Sequence, residues 1–422
     1  MTKRMKQNGS MRTGRCKAAN ETETSEISQR VRQLQALTKC LPEWYQGHKR
    51  DLPWRETGKP YDVWLSEIML QQTRVEAVKA YFLRFKEALP DIPALAVCPD
   101  DRLMKLWEGL GYYSRVRNLR KCAQLLVSQY DGQLPADYKE LLKLPGIGSY
   151  TAGAIASIAY ALPVPAVDGN VLRVYARITG DTSDIALPQT KKSVEAVLTD
   201  VIAEASEGRI ENSGNAEKRS AAFSPGIFNQ ALMELGAMVC VPNGAPHCDQ
   251  CPAGGICVAK RENRAAELPV KTGKKPRRIE KRTVVILQDG DRFLIQKRSD
   301  KGLLAGLYEF PSLPGRLEEK TVLAEAEALG FDPVQIRRLP DAKHVFTHIE
   351  WKMCGYLVKL AAESRADSCK KGWQEKEGSV PGAGMQTSWI RPQHLFVTME
   401  ETKAAYALPS AFAAFAKALQ ME

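Results

Sequence analysis

Four of the ten cysteines fall at Cys240, Cys248, Cys251 and Cys257, and the other six are scattered along the chain. The spacing Cys-x7-Cys-x2-Cys-x5-Cys brings four soft thiolates into one short loop, and the helices before it must fold so as to present that loop. Such a set binds either a four-iron, four-sulfur (4Fe-4S) cluster or a zinc ion. Spacing alone does not choose the metal, and His247 is a further donor that a zinc site could use. A disulfide framework would spread its cysteines more evenly, and no secretory signal precedes them, so the pattern points to a reducing compartment. That means the cytoplasm and nucleoid of a bacterium, or the nucleus or mitochondrion of a eukaryote.

Lys and Arg number 60 against 49 Asp and Glu, a net charge of +11. A basic excess of that size favours a polyanionic partner, because neutralised phosphates release counterions. No apolar run approaches bilayer length, so no membrane partner is expected. Residues 1–32 read as a polar, disordered tail, basic at its start through Lys3, Arg4, Lys6, Arg12, Arg15 and Lys17; a transit peptide is the alternative.

From Leu34 to about Ile178 the pattern is helical. Trp64, Ile68, Val75, Val78, Phe82 and Phe85 recur at helical spacing, with Asp62 as a candidate N-cap. Residues 206–222 read as an inserted polar loop, after which FNQALMELGAMVC resumes the helix into the cysteines. Residues 271–282 are strongly basic and read as a linker. Beyond them the texture changes. TVVILQ, Asp289-Gly290-Asp291 and RFLIQKR predict a β-hairpin. HVFTHIEWKMCGYLV alternates, with Val345, Ile349, Trp351 and Met353 on one face. Helices are expected after Thr321 and Pro409. The expected fold class is therefore a mainly α N-terminal region followed by an α+β domain, divided as a tail (1–32), a helical domain (33–262), a linker (263–282) and a C-terminal domain (283–422).

Three further signals carry chemistry. In LPGIGSYTAGAIASIAY, Gly146 and Gly148 permit a tight turn close to another molecule, and Ala152, Ile155, Ala156 and Ala159 give the next helix a small apolar face. Loop amides and a helix N-terminus bind phosphate without reading sequence, and this stretch looks like a helix-hairpin-helix motif. Glu67 sits in the apolar helical stretch WLSEIMLQQTRV, where a carboxyl gains a raised pKa and can serve as a general acid; the plainer reading puts it on a solvated face. Asp168, in PAVDGNVLRV, is on its own a good N-cap.

Together, RDLPWR (50–55), SEIMLQQTRV (66–75), WEGLGYYSRVRNL (107–119), LPGIGSYTAGAI (144–155), VDGNVLRV (167–174) and FNQALMELGAMVC (228–240) resemble the helix-hairpin-helix, iron–sulfur glycosylase superfamily, and within it the MutY-type adenine DNA glycosylases. LLAGLYEFP (303–311) and HVFTHIEW (344–351) extend the likeness into a C-terminal MutT/Nudix-like domain. Two departures stand out: the first cysteine gap is one residue longer than usual in this family, and the 206–222 insertion is longer.

The resemblance implies base-excision repair on double-stranded DNA carrying adenine opposite 8-oxoguanine or guanine, by a monomer with a 4Fe-4S cluster on its four cysteines. Glu67 matches the general acid that protonates the departing adenine, and Asp168 the carboxylate that stabilises the sugar cation. Tyr150 and Asn170 match residues that position them. Gln72 and Tyr112 match wedges near the lesion. Arg50, Trp54 and Arg55 match residues at the adenine pocket, and Phe346, Thr347 and His348 a loop touching 8-oxoguanine. The Nudix-like domain lacks the Gly-x5-Glu-x7-Arg-Glu-x2-Glu-Glu pattern that holds magnesium, so binding without hydrolysis is expected there. Tyr150 stands where lyase relatives carry a Schiff-base lysine, which implies a monofunctional enzyme. The competing readings are an endonuclease III-like glycosylase-lyase for oxidised pyrimidines, a non-catalytic DNA-binding scaffold, and a zinc-stapled regulator.

Overall fold

Val31, Leu34, Leu37, Leu41 and Tyr45 recur every third or fourth residue, and this stripe organises the first helical layer. The computed structural model describes residues 27–211, 223–273, 276–361, 389–391 and 393–419. In it the stripe lines helices 27–35 and Leu37–His48. It is buried against Val171, Val174 and Ile178 of the Gly169–Thr179 helix, Val197 and Val201 of the Pro188–Glu211 helix, and Phe228, Ala231 and Leu235 of the Pro225–Met238 helix. The chain divides into two compact units, Met1–Ala96 with Lys121–Gly273, and Val97–Arg120 with Lys274–Glu422.

The first unit is helical throughout its regular structure, and three details differ from the sequence expectations. Residues 27–32, read as tail, are helical: Val31 is buried, and Arg30 Nη1 donates to Asp181 Oδ2 at 2.8 Å. Residues 1–26 lie outside the described part. Asp62 is not an N-cap. Lys59 takes the cap position and Pro60 begins the helix Pro60–Leu70, where its missing N–H costs nothing. The Asp62 carboxylate instead accepts from Thr57 Oγ1 at 2.6 Å and pairs with Lys86. The 206–222 loop is shortened, since helix Pro188–Glu211 runs through its start; residues 212–222 lie outside the described part.

Among its described residues the second unit holds one seven-stranded mixed sheet: β1 (Arg278–Asp289), β2 (Arg292–Lys297), β3 (Tyr308–Glu309), β4 (Ser312–Pro314), β5 (Pro333–Val345), β6 (Ile349–Leu360) and β7 (His394–Val397). The order is β3-β2-β1-β6-β5, with β4 added to β1 and β7 to β2. The expected hairpin is present, Asp289 facing Arg292 across Gly290. β1 and β6 run parallel, Val285 opposite Tyr356.

The unbroken apolar run TVVILQ is what a central strand covered on both faces needs. Val284 and Ile286 face a core with Trp351, Met353, Phe412 and Phe415, while Val285 and Leu287 face another with Val322, Ala326 and Tyr356. Helix Glu319–Ala328 covers the second face and Ala413–Leu419 the first. Gly355 lets Phe415 lie against β6, because a Cβ there would stand 2.4 Å from its ring. Two expectations are corrected. β1 begins at Arg278, so the end of the basic linker is strand. HVFTHIEWKMCGYLV is two strands joined at Phe346–His348, and Val345 is 44% exposed while Trp351 and Met353 are buried, so the four do not share one face.

Residues 97–120 are fastened into this second unit by polar bonds. Lys105 Nζ donates to Thr402 O (3.1 Å), Arg117 Nη1 to Ala305 O (2.6 Å) and Lys297 Nζ to Asp101 Oδ1 (2.7 Å), while Glu108 Oε1 accepts from Leu408 N (2.7 Å).

Candidate active site

In helix Pro60–Leu70 every residue from Tyr61 to Met69 is buried, and Glu67 with them. Its position in an apolar run, not on a solvated face, decides its chemistry. Burial pushes its carboxyl up to about 7, and the nearby charge of Asp168 adds to the rise; the hydrogen bond from Tyr150 and the charge of Arg55 work the other way. Tyr150 Oη donates to Glu67 Oε2 and touches Met233 Sδ at 3.5 Å. Burial, with Glu67 and Asp168 alongside, holds the Tyr150 phenol well above its ordinary value, so it stays protonated.

Asp168 is the N-cap of helix Gly169–Thr179 and also faces this cluster. Its Oδ1 accepts from Val171 N (2.8 Å) and its Oδ2 from Asn170 Nδ2 (2.7 Å). Burial raises its pKa, while those two bonds favour the ionised form. Capping does not remove the half-buried Asp168 from the cluster: its Oδ1 caps the helix, and its charge still acts on Glu67 and Tyr150. The carboxyls at positions 67 and 168 lie close enough for the charge of Asp168 to act on both Glu67 and Tyr150.

Sequence reasoning did not single out Glu234. It is 1% exposed on helix Pro225–Met238, and it clamps both candidate arginines. Arg50 Nε and Nη2 each donate to it at 2.8 Å, Arg55 Nη2 at 2.8 Å, and the Arg50 backbone N–H at 2.9 Å. Burial alone would raise this carboxyl, but the arginine bonds outweigh it and hold Glu234 down to about 2. The signal was available, since Glu234 is an acid in the apolar run FNQALMELGAMVC, the same pattern that marks Glu67. Trp54, from the same RDLPWR stretch, is buried edge-on against Phe82 at 5.6 Å.

Cys240, Cys248, Cys251 and Cys257 are free thiols and line one pocket with Val174, Ile178, Leu235 and Val239. Burial pushes the Cys251 thiol up to about 11 and raises Cys257, and their cysteine neighbours add to both. Among the described residues, no three His, Cys, Asp or Glu side chains converge as ligands of a single ion do. His247 is exposed. Arg177 Nη1 donates to Cys240 Sγ at 3.3 Å. Arg173 joins this loop to the acidic pair: its Nε donates to Cys240 O (2.7 Å) and its Nη2 to Asn170 Oδ1 (2.9 Å).

Helix Tyr138–Leu141, the turn through Gly146 (φ +79°) and helix Ser149–Ala154, capped at Gly148, form a helix-hairpin-helix. The small apolar face is buried at Ala152, Ile155 and Ala156; the helix widens into a π turn over Ile155–Ala159. Gln72 is exposed at a left-handed φ of +57°, a conformation that costs a side chain of its kind and points it out of the helix end.

The remaining candidates belong to the second unit. Tyr112 (φ +47°) is 45% exposed while its neighbour Tyr113 is buried, so Tyr112 is not core. Its Oη lies 3.2 Å from Thr347 Oγ1, and the Arg115 guanidinium sits over its ring at 5.6 Å. Thr347 and His348 are exposed at the β5–β6 turn. Phe346 is half-buried and anchors that turn on Trp351 at 4.8 Å.

Residues 65–204 match the HhH-GPD superfamily of base excision DNA repair proteins, and residues 282–418 match the NUDIX domain. An adenine DNA glycosylase of Rattus norvegicus is 31% identical over 84% of this chain and 78% of its own length. One of Homo sapiens is 31% identical over 82% and 71%. One of Buchnera aphidicola is 30% identical over 80% and 92%.

Proposed function

Since the chain belongs to the adenine DNA glycosylases of the HhH-GPD superfamily, we propose that it hydrolyses the N-glycosidic bond of adenine opposite 8-oxoguanine or guanine in duplex DNA, and that it does so without a lyase step. The observation that carries this is the buried carboxyl of Glu67, held by Tyr150 and near enough to the half-buried Asp168 to feel its charge, with burial raising Glu67 to about 7.

Adenine in a duplex is out of reach and must be extruded. Its departure needs a proton at N7. Glu67 is half-protonated near neutral pH, and the Tyr150 bond to Oε2 orients the carboxyl so that Oε1 presents the proton. Loss of the base leaves an oxocarbenium-like sugar, which the Asp168 carboxylate stabilises, either as a counter-charge or by a transient covalent bond. Burial raises the Asp168 pKa, and the bonds from Val171 N and Asn170 work against that rise, favouring the charged form the task needs. Glu67, having given its proton, accepts one from the attacking water. No amine stands at position 150, and the phenol there stays neutral, so no Schiff base forms.

Arg50 and Arg55, held by Glu234 with one positive charge left over, and Trp54 wall the base pocket. The helix-hairpin-helix takes the DNA backbone through its amides, and Gln72 fills the stack. Tyr112, Thr347 and His348 read the opposing base, hydroxyl and imidazole meeting the C8 and N7 edge by which 8-oxoguanine differs from guanine. Cys240, Cys248, Cys251 and Cys257, which line one pocket, would hold a 4Fe-4S cluster, which would supply a structural cross-link for their loop.

An excision assay on duplexes with adenine opposite 8-oxoguanine, guanine, cytosine and thymine tests this reading, with Glu67→Gln beside the wild type. Loss of all adenine excision in the variant with DNA affinity kept is the expected result; excision at the wild-type rate defeats it. A strong borohydride-trapped complex of the wild type would favour the glycosylase-lyase.

A further inference from the structure

Asn229 lies on helix Pro225–Met238, and the chemistry above makes no use of it. It is 1% exposed. Its side-chain amide is fully committed: Oδ1 accepts from Ala166 N at 3.1 Å, and the two N–H groups of Nδ2 donate to Ser157 Oγ at 2.8 Å and Val164 O at 2.9 Å. Ser157, also 1% exposed, donates onward to Gly153 O at 2.7 Å. Two of these partners belong to the stretch that leads into Asp168. The other two belong to the helix that begins at Ser149 and carries Tyr150.

The same junction is closed by backbone contact. A Cβ on Gly153 would stand 2.1 Å from Pro165 O, and one on Gly226 would stand 2.6 Å from Ser157 O. The helix widens into its π turn at this point, which brings Ser157 under Asn229. Three segments with no ladder between them are thus locked by one amide and one hydroxyl.

We propose that Asn229, acting through Ser157, is a positioning residue that fixes the separation of the two carboxylates by clamping the Asp168 stretch to the helix whose Tyr150 holds Glu67. The proposal rests on the roles given above to Glu67 and Asp168. The sugar cation forms only within reach of Asp168, so a shift of the stretch by one ångström is felt in the rate rather than in DNA binding. Removing the amide strips the buried Ala166 N and the half-buried Val164 O of the partner that holds them, and the stretch must move to satisfy them.

The test uses the full chain with Asn229→Ala and Ser157→Ala. Single-turnover excision is measured on an A:8-oxoguanine duplex. Affinity is measured for two duplexes that carry, in place of deoxyadenosine, either a neutral tetrahydrofuran or a cationic azaribose. The expected loss of rate is about 100-fold for Asn229→Ala and about 10-fold for Ser157→Ala. The preference for the cationic analogue shrinks in step, and tetrahydrofuran binding changes by less than about threefold. General destabilisation would weaken both analogues together and would overturn the proposal, as would a wild-type rate and wild-type cation preference in both variants. Should Asn229→Ala fail to fold, Ser157→Ala decides by the same two readouts. Asp168→Asn is run in parallel. If it keeps the cation preference, the role of Asp168 falls; if it loses the preference and the other two variants do not, only the positioning role falls.

Discussion

Replacing Glu67 by glutamine should make the protein more stable at neutral and alkaline pH while silencing it. Burial raises this carboxyl from 4.5 to about 7. Between those values the folded state keeps a proton that the unfolded chain has released, so stability falls as pH rises through the window. The full loss is roughly 2.5 pKa units, or about 3 kcal/mol. Glutamine has nothing to ionise, keeps the shape, and offers an oxygen to the Tyr150 hydroxyl. The variant and the wild type should therefore differ little below pH 4.5, and the variant should lead by up to about 3 kcal/mol above pH 8. In a unit of this size that is roughly 6–12 °C in the melting transition. Calorimetry of both proteins at half-unit steps from pH 5 to pH 8.5 reads the divergence. Melting curves that run parallel over the whole range would show that Glu67 is not a buried acid of raised pKa, and the proton-donor argument would lose its basis.

Tyr150→Phe removes a bond that lowers the Glu67 pKa, so the alkaline limb of the excision-rate profile should move to higher pH; an unmoved limb counts against the pair. Glu234→Gln strips two arginines of a carboxylate that is 1% exposed and should cost about 3 kcal/mol by chemical denaturation. In the wild type the contribution of Glu234 is complete above about pH 4.5 and lost towards pH 2, so the two proteins should converge in acid. Thr347→Ala with His348→Ala should reduce the preference for 8-oxoguanine over guanine opposite adenine, measured as a ratio of excision rates, and leave the rate on A:G within about threefold. Cys251→Ser should abolish the broad visible absorbance of purified protein; a colourless wild type with bound zinc would overturn the cluster assignment.

Local chemistry made much of this readable in the sequence. Glu67 stands among apolar neighbours at helical spacing, so its burial follows from the run itself. The cysteines announce themselves by density, and the β1–β2 hairpin by Asp-Gly between apolar runs. What stayed hidden depends on partners far away in the chain. Glu234 becomes a clamp only because Arg50 and Arg55 arrive from nearly two hundred positions earlier, and Asn229 only because residues 157–166 pass beneath it. Asp62 was misplaced because a proline start and a lysine 24 positions on, rather than the helix end, claim it. The 344–351 alternation concealed a turn, since two strands joined by three residues keep the period-two rhythm of one. Residues 27–32 look soluble in isolation, yet one valine and one arginine suffice to pin them.

The allocation of residues 97–120 to the second unit changes what a fragment of this protein would be. The polypeptide passes between the units at 96/97, 120/121 and 273/274, so the C-terminal part is not a bead on a string. Cutting after Gly273 would strip Lys105, Glu108 and Arg117 of the backbone groups they hold and deprive Tyr112 of Thr347. Such a shortened protein would keep Glu67, Asp168 and all four cysteines, but Tyr112 would sit on a segment stripped of the bonds that fasten it.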